Sequence, residues 1–193
     1  MRPMIRCLRI KKNLGVLKPA IIQFDDDDLV IFTGDNGIGK TDILNLIAQY
    51  YPGDEDLDVK LDCEDAPDND MARFLDCSDQ YSVEMSPGEH CLENLHDLLI
   101  LSGKIIIIDT PEAFLSIKGQ VEMTDIIQSI KKHNQVFIST NSIPLLRSVE
   151  SVYLLDEGVW VDPKDYIRES LLSNVIVKDG VFKKFSMVDG ILE

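Results

Sequence analysis

Gly34-Asp35-Asn36-Gly37-Ile38-Gly39-Lys40-Thr41 matches G-x-x-x-x-G-K-[ST] in full. It stands between the apolar run LVIFT (29–33) and KTDILNLIAQYY (40–51). A run apolar at every position suits a strand buried on both faces. Ile43, Leu44, Ile47 and Tyr50/Tyr51 recur at helical spacing until Pro52-Gly53, which stops the helix. A strand, a glycine-rich turn and a helix in that order is the context in which this pattern cradles phosphates. The glycines let backbone N–H groups wrap the anion, and the helix N-terminus adds the positive end of its dipole. Lys40 then reaches the β and γ phosphates, and the Thr41 hydroxyl suits magnesium.

Downstream, KIIIID (104–109) is a second buried strand, and it ends in a carboxylate. Asp109 would emerge at the strand's C-terminal edge beside the glycine loop, as a second magnesium-side ligand. The metal pair is therefore Thr41 and Asp109, and the expected cofactors are ATP and Mg2+. Met123, Ile126, Ile127 and Ile130 mark an amphipathic helix, and QVFIST (135–140) a third buried strand. Two such strands joined by a helix make a right-handed parallel βαβ unit. Between the two motifs, Ser86-Pro87-Gly88-Glu89 opens a helix with serine at the N-cap, proline at N1 and glutamate at N3. That helix presents Leu92, Leu95, Leu98 and Leu99 on one face and should end near Ser102-Gly103. A capped N-terminus bearing a hydroxyl is also an anion site.

Upstream, IRCLRI and AIIQF read as paired antiparallel strands around NLGVLKP. Residues 51–84 are acidic and poorly periodic, and are read as an insertion of short strands or loops. SVYLL (151–155), GVWV (158–161) and the VIVKDGVFKKF hairpin, with its Asp-Gly turn, are expected to complete the sheet. The last lies in a C-terminal extension, 162–193. The expected fold is one α/β domain over 1–193, a P-loop NTPase with a mostly parallel central sheet, an antiparallel N-terminal β portion and a very short helical or insertion lobe.

The 193 residues are 45% hydrophobic and 27% charged, enough for one core and incompatible with disorder. No apolar run approaches the roughly 20 residues needed to cross a bilayer, so a cytoplasmic protein without a membrane partner is expected. A formal charge of -15 disfavours nucleic acid. Residues 1–18 are the local exception, with Arg2, Arg6, Arg9, Lys11, Lys12 and Lys18 and no acid. Cys7, Cys63, Cys77 and Cys91 form no CxxC pair, and His90, His96 and His133 suggest no zinc pattern.

FTGDNGIGKT, MSPGE heading a helix, IIIIDTPEAFLS and FISTNSIPLL, in this order, resemble the ABC-type ATPase heads of the SMC, RecF and OLD group, including small AAA-type ATPases of defence systems. The resemblance covers most of residues 1–157. It implies a head-to-tail homodimer that sandwiches two ATP molecules, each between the P-loop of one chain and Ser86, Gly88 and Glu89 of the other. It makes Gly34, Asp35, Asn36, Gly37, Ile38, Gly39, Lys40 and Thr41 the nucleotide loop, Ser86 to Glu89 the signature, and Ala113 to Ser116 the D-loop region.

Three departures shape the expected chemistry. Where the family places a glutamate to polarise the attacking water, this chain has Thr110, whose hydroxyl is a far weaker base. Glu112 is a candidate substitute, although it also suits the start of a helix begun at Pro111. In place of the switch histidine stands Asn141, which hydrogen-bonds a γ-phosphate or water but takes no proton. Glu112, Asn141 and Thr110 are thus the catalytic candidates. Only 44 residues separate Thr41 from Ser86, too few for a long coiled coil, and Gln80 is the sole weak Q-loop candidate. The leading expectation is an ATP-dependent dimer with slow or impaired hydrolysis that switches an effector or partner protein in trans. The alternative is an active ATPase that uses Glu112 and is coupled to DNA along the basic strip. A small-molecule kinase would need a lid arginine, and only Arg73 lies between the loop and Asp109.

Overall fold

The computed structural model describes residues 4–24, 28–49, 59–64, 72–76, 86–172, 176–178 and 181–183. The expected helix stop at Pro52-Gly53, Gln80 and the Asp179-Gly180 turn lie outside them. Strands β1 (Met4–Ile10) and β2 (Ala20–Gln23) pair antiparallel, and β3 (Leu29–Thr33) runs into the P-loop and helix α1 (Lys40–Ala48). β4 (Val59–Glu64), β5 (Ala72–Asp76), helix α2 (Pro87–Asp97), β6 (Ile105–Asp109), α3 (Ile117–Ile130) and β7 (Gln135–Ser139) follow. Next come α4 (Ile143–Leu146), β8 (Val152–Leu154), β9 (Val159–Val161), α5 (Pro163–Leu172), β10 (Ile176–Lys178) and β11 (Val181–Lys183).

A six-stranded sheet, ordered β5-β6-β7-β3-β8-β9, is parallel except at β9, which pairs antiparallel with β8. A three-stranded antiparallel sheet is ordered β2-β1-β4. Two strands in the acidic stretch therefore serve both sheets: β4 pairs with β1, and β5 forms the edge beside β6. The C-terminal hairpin departs from expectation. Among the described residues β10 and β11 pair with each other in a separate two-stranded sheet, after α5.

β3, β6 and β7 are buried at every position, as strands lying between two layers must be, and their middles are apolar. Their alternating side chains feed two cores. Ile31, Ile106, Ile108, Val136 and Ile138 pack with Leu95, Met123, Ile127 and Ile130 of α2 and α3. On the other face Val30, Phe32, Ile105, Ile107 and Phe137 pack with Ile43, Leu44 and Ile47 of α1 and with Ile5, Leu8 and Ile10 of β1. Each such side chain contributes about 1.5–3 kcal/mol through burial. Gln135 joins the antiparallel sheet to the core: its buried amide accepts from Ile5 N–H at 2.7 Å and donates to Ile5 C=O at 2.9 Å. Those two bonds satisfy a polar group that burial would otherwise penalise.

Arg6 and Arg9 lie on the exposed face of β1. Cys7 and Cys91 are buried thiols. Among the described residues, no helix is long and apolar enough to cross a membrane, and no cluster of three or more His, Cys, Asp or Glu side chains is arranged to hold a metal.

Candidate nucleotide site

The parallel strands end on one edge, and the P-loop after β3, Asp109 at the end of β6, Thr140 after β7 and Asp156 after β8 converge there. Ligands of open α/β sheets bind at this edge. Gly34 and Gly39 adopt φ of 130° and 99°, left-handed conformations open to glycine at little cost. Gly39 is the N-cap of α1 and supplies no side-chain cap, so the first amides of that helix face the loop with no internal oxygen on them. Lys40 Nζ donates to Gly34 C=O and Asp35 C=O, each at 2.8 Å. Burial lowers the Lys40 pKa, opposed by the negative charges of Asp156 first, then Glu112, Asp109 and Asp35.

The Thr41 hydroxyl donates to Asp109 Oδ2 at 2.6 Å, so the two candidate metal ligands already adjoin. Hydroxyl and carboxylate oxygens are the hard donors that Mg2+ takes, and the donor set fits that ion. Asp109 is buried, and its other oxygen accepts from Ser139 Oγ and, at 3.1 Å, from Thr110 Oγ1.

Thr110 thus orients Asp109. Its φ of 45° is costly for a β-branched residue, about 1–2 kcal/mol by the left-handed penalty. Bonds from Thr110 N–H to Ser139 C=O (3.0 Å) and from Ala113 N–H to Thr110 C=O (3.0 Å) hold the turn. The turn brings Glu112 back to the sheet edge. One Glu112 oxygen accepts from Thr140 Oγ1 at 2.7 Å, the other from Asn141 N–H at 2.8 Å. The Asn141 amide, oriented to satisfy its surroundings, donates to Gly34 C=O (3.2 Å), Thr140 C=O (3.1 Å) and Thr33 Oγ1 (3.0 Å). P-loop, Glu112 and Asn141 form one network.

Ser86 and Glu89 bond to each other. Glu89 accepts from Ser86 Oγ at 2.6 Å and Ser86 N–H at 3.0 Å, while Ser86 Oγ accepts from Glu89 N–H at 3.4 Å. The hydroxyl and backbone bonds from Ser86 lower the Glu89 pKa. Gly88 lies against the turn at Phe114, where a Cβ would stand 2.8 Å from Phe114 C=O.

Several site residues escaped the sequence reading. Thr33, Ser139 and Thr140 are buried polar residues at strand ends, and their place after apolar runs was an available signal. Asp156, on the β8–β9 turn, accepts from Asp35 N–H at 3.1 Å, a link across 121 residues that no local pattern announces. Beside it opens a cavity of about 810 Å³, lined by Val16, Ile21, Ile38, Leu155, Asp156 and Glu157 among others.

No family model matches the chain. The energy-coupling factor transporter ATP-binding protein EcfA2 of Mycoplasmoides gallisepticum is 34% identical over 87 residues, 44% of this chain and 26% of that protein. The energy-coupling factor transporter ATP-binding protein EcfA of Aster yellows witches'-broom phytoplasma is 26% identical over 166 residues, 83% of this chain. The matches span 26% and 58% of those relatives' lengths. Among solved structures, CbiO1 of Clostridium perfringens, part of the ABC transporter complex CbiONQ, has a TM-score of 0.56 at 15% identity. That match covers 86% of this chain and 92% of CbiO1. A putative metal-chelate type ABC transporter has a TM-score of 0.52 at 12% identity, covering 94% and 95%. These proteins are named as transporter components, not members of the SMC, RecF and OLD group. They overturn the expectation that excluded a membrane partner, which rested only on the lack of an apolar span in this chain. Sheet order, P-loop and these likenesses agree that this chain has the fold of an ABC-type P-loop ATPase domain.

Proposed function

We propose that the chain binds MgATP at the P-loop, pairs head-to-tail with a second copy, hydrolyses ATP slowly, and passes its nucleotide state to a membrane-embedded transport partner. The observation that carries the reading is the Thr41–Asp109 pair at 2.6 Å beside the uncapped N-terminus of α1. Bound Mg2+ would neutralise phosphate charge, with Thr41 and Asp109 as its protein ligands. The α1 amides and Lys40 would hold the phosphates, Lys40 exchanging its carbonyl partners for phosphate oxygens. The cavity beside Asp156 has the size of a small-molecule site and would take the nucleoside. The transport partner is inferred from the names of the relatives.

Slow hydrolysis follows from the base. No carboxylate follows Asp109 directly, and both Glu112 oxygens are engaged by Thr140 and Asn141. A carboxylate so held is a weaker acceptor for a proton from water. A second reading, a competent ATPase using Glu112 as its base, draws support from the place of Glu112 at the sheet edge, bonded to Asn141, whose amide donates to Gly34 C=O of the P-loop.

Size-exclusion light scattering with ATP and Mg2+ tests the dimer. The native protein is expected to double in mass with ATP and Lys40→Ala to remain monomeric. A native monomer that ignores ATP would overturn the assignment of Ser86 and Gly88.

A further inference from the structure

The β8–β9 turn contributes a residue to the P-loop that no motif includes. Asp156 Oδ2 accepts the Asp35 N–H at 3.1 Å, and Oδ1 lies 2.7 Å from where a Cβ on Gly34 would stand. Gly34 has φ of 130°, so the loop's first turn has both the conformation and the bare Cα that admit this carboxylate. Gly34 and Asp35 are also the residues whose carbonyls hold Lys40 Nζ. One carboxylate therefore fixes the peptide between Gly34 and Asp35, and that segment in turn seats the lysine. β8 lies beside β3 in parallel register, Phe32 opposite Tyr153 and Thr33 opposite Leu154, so the anchor is built into the sheet.

We infer that Asp156 is a positioning residue of the P-loop, holding its first turn through the Asp35 amide so that Lys40 is presented to the phosphates. This rests on the proposed ATP site for its consequence, but not for its geometry. Asp156 is also the carboxylate that most opposes the effect of burial on Lys40. The role belongs to the hydrogen bond, and an asparagine oxygen can replace it.

Two measurements on Asp156→Ala and Asp156→Asn test this. Without nucleotide, hydrogen–deuterium exchange of peptides spanning residues 30–40 is expected to quicken about three- to tenfold in Asp156→Ala and to return toward native in Asp156→Asn. Affinity for N-methylanthraniloyl-ATP with Mg2+ should fall by a similar factor in the alanine variant and recover in the asparagine variant. Native exchange in Asp156→Ala would overturn the inference. So would an asparagine variant as impaired as alanine in both measurements. A native protein that binds no analogue would contradict the ATP reading instead, and exchange alone would then judge Asp156.

Discussion

Thr41 and Asp109 meet directly, hydroxyl to carboxylate at 2.6 Å, whereas Glu112 reaches the same sheet edge only through a left-handed turn at Thr110 and two bonds from the Thr140–Asn141 segment. The first region is held by its own strand and helix: β3 delivers the loop, α1 leaves its amides uncapped, and β6 ends in the carboxylate. The second is held by cross-links between loops. Gln120 extends them, donating to Leu115 C=O at 3.4 Å and accepting from Ser142 Oγ at 2.9 Å. The metal-side pair is thus placed by a strand end and a helix start, with the loop's first turn also held by Asp156, and the candidate base is placed by a strained turn. A local change should act more strongly on the second region than on the first, although Thr110 and Asn141 link the two.

The largest expected effect breaks the first region alone. Lys40→Ala should weaken MgATP binding by about a hundredfold, the scale of losing charge-assisted bonds, as read by titration calorimetry. The Thr110–Glu112 turn should keep its native exchange rates. A loss under threefold would mean that the lysine is not part of a phosphate site.

Gly88→Ala strikes the second region from outside. Its Cβ would stand 2.8 Å from Phe114 C=O, a backbone atom that cannot swing aside, so urea unfolding should show a loss of about 1–3 kcal/mol. Unchanged stability would mean that the turn at Phe114 yields freely, contrary to its cross-links.

Thr110→Gly should do the opposite. Relief of the left-handed conformation outweighs the added chain entropy by about 1 kcal/mol at most. The expected rise in Tm is about 2–4 °C by calorimetry. A fall would show that the Thr110 bond to Asp109 stabilises more than the strain costs.

An effect of similar size concerns the α2 cap. Ser86→Ala should cost about 1 kcal/mol near neutral pH. Because the folded Glu89 pKa is lowered, its contribution is full above the ordinary carboxylate value and disappears as pH falls through the lowered one. The gap in urea midpoint between native and Ser86→Ala should therefore narrow in acid. A gap constant from pH 7 to pH 3 would remove the carboxylate from the cap.

The two regions also differ in how they can be read from sequence. LVIFT, IIIID and QVFIS announce buried strands because burial on both faces demands a near-continuous apolar run, with the polar residues Thr33, Asp109, Gln135 and Ser139 confined to strand ends. The loop between LVIFT and its helix shows the glycines and lysine that a phosphate needs. β4 and β5 give no such signal, since VKLDCE and ARFLD owe their strand state to pairing with β1 and β6. α1 ends at Ala48, short of the expected stop, because periodicity locates a helix better than it locates its last turn. Glu112 was legible as a candidate, but its engagement by Thr140 and Asn141 was not, for those partners lie 28 and 29 residues away. Asp156 is the extreme case, visible only once β8 is beside β3.

The most direct test of the account is phosphate release under saturating MgATP, native protein beside Glu112→Gln, with bound nucleotide assayed in the same samples. Both proteins should hold nucleotide, the native one releasing phosphate slowly and the variant none. Equal release from the two, or no nucleotide held by the native protein, would contradict the account.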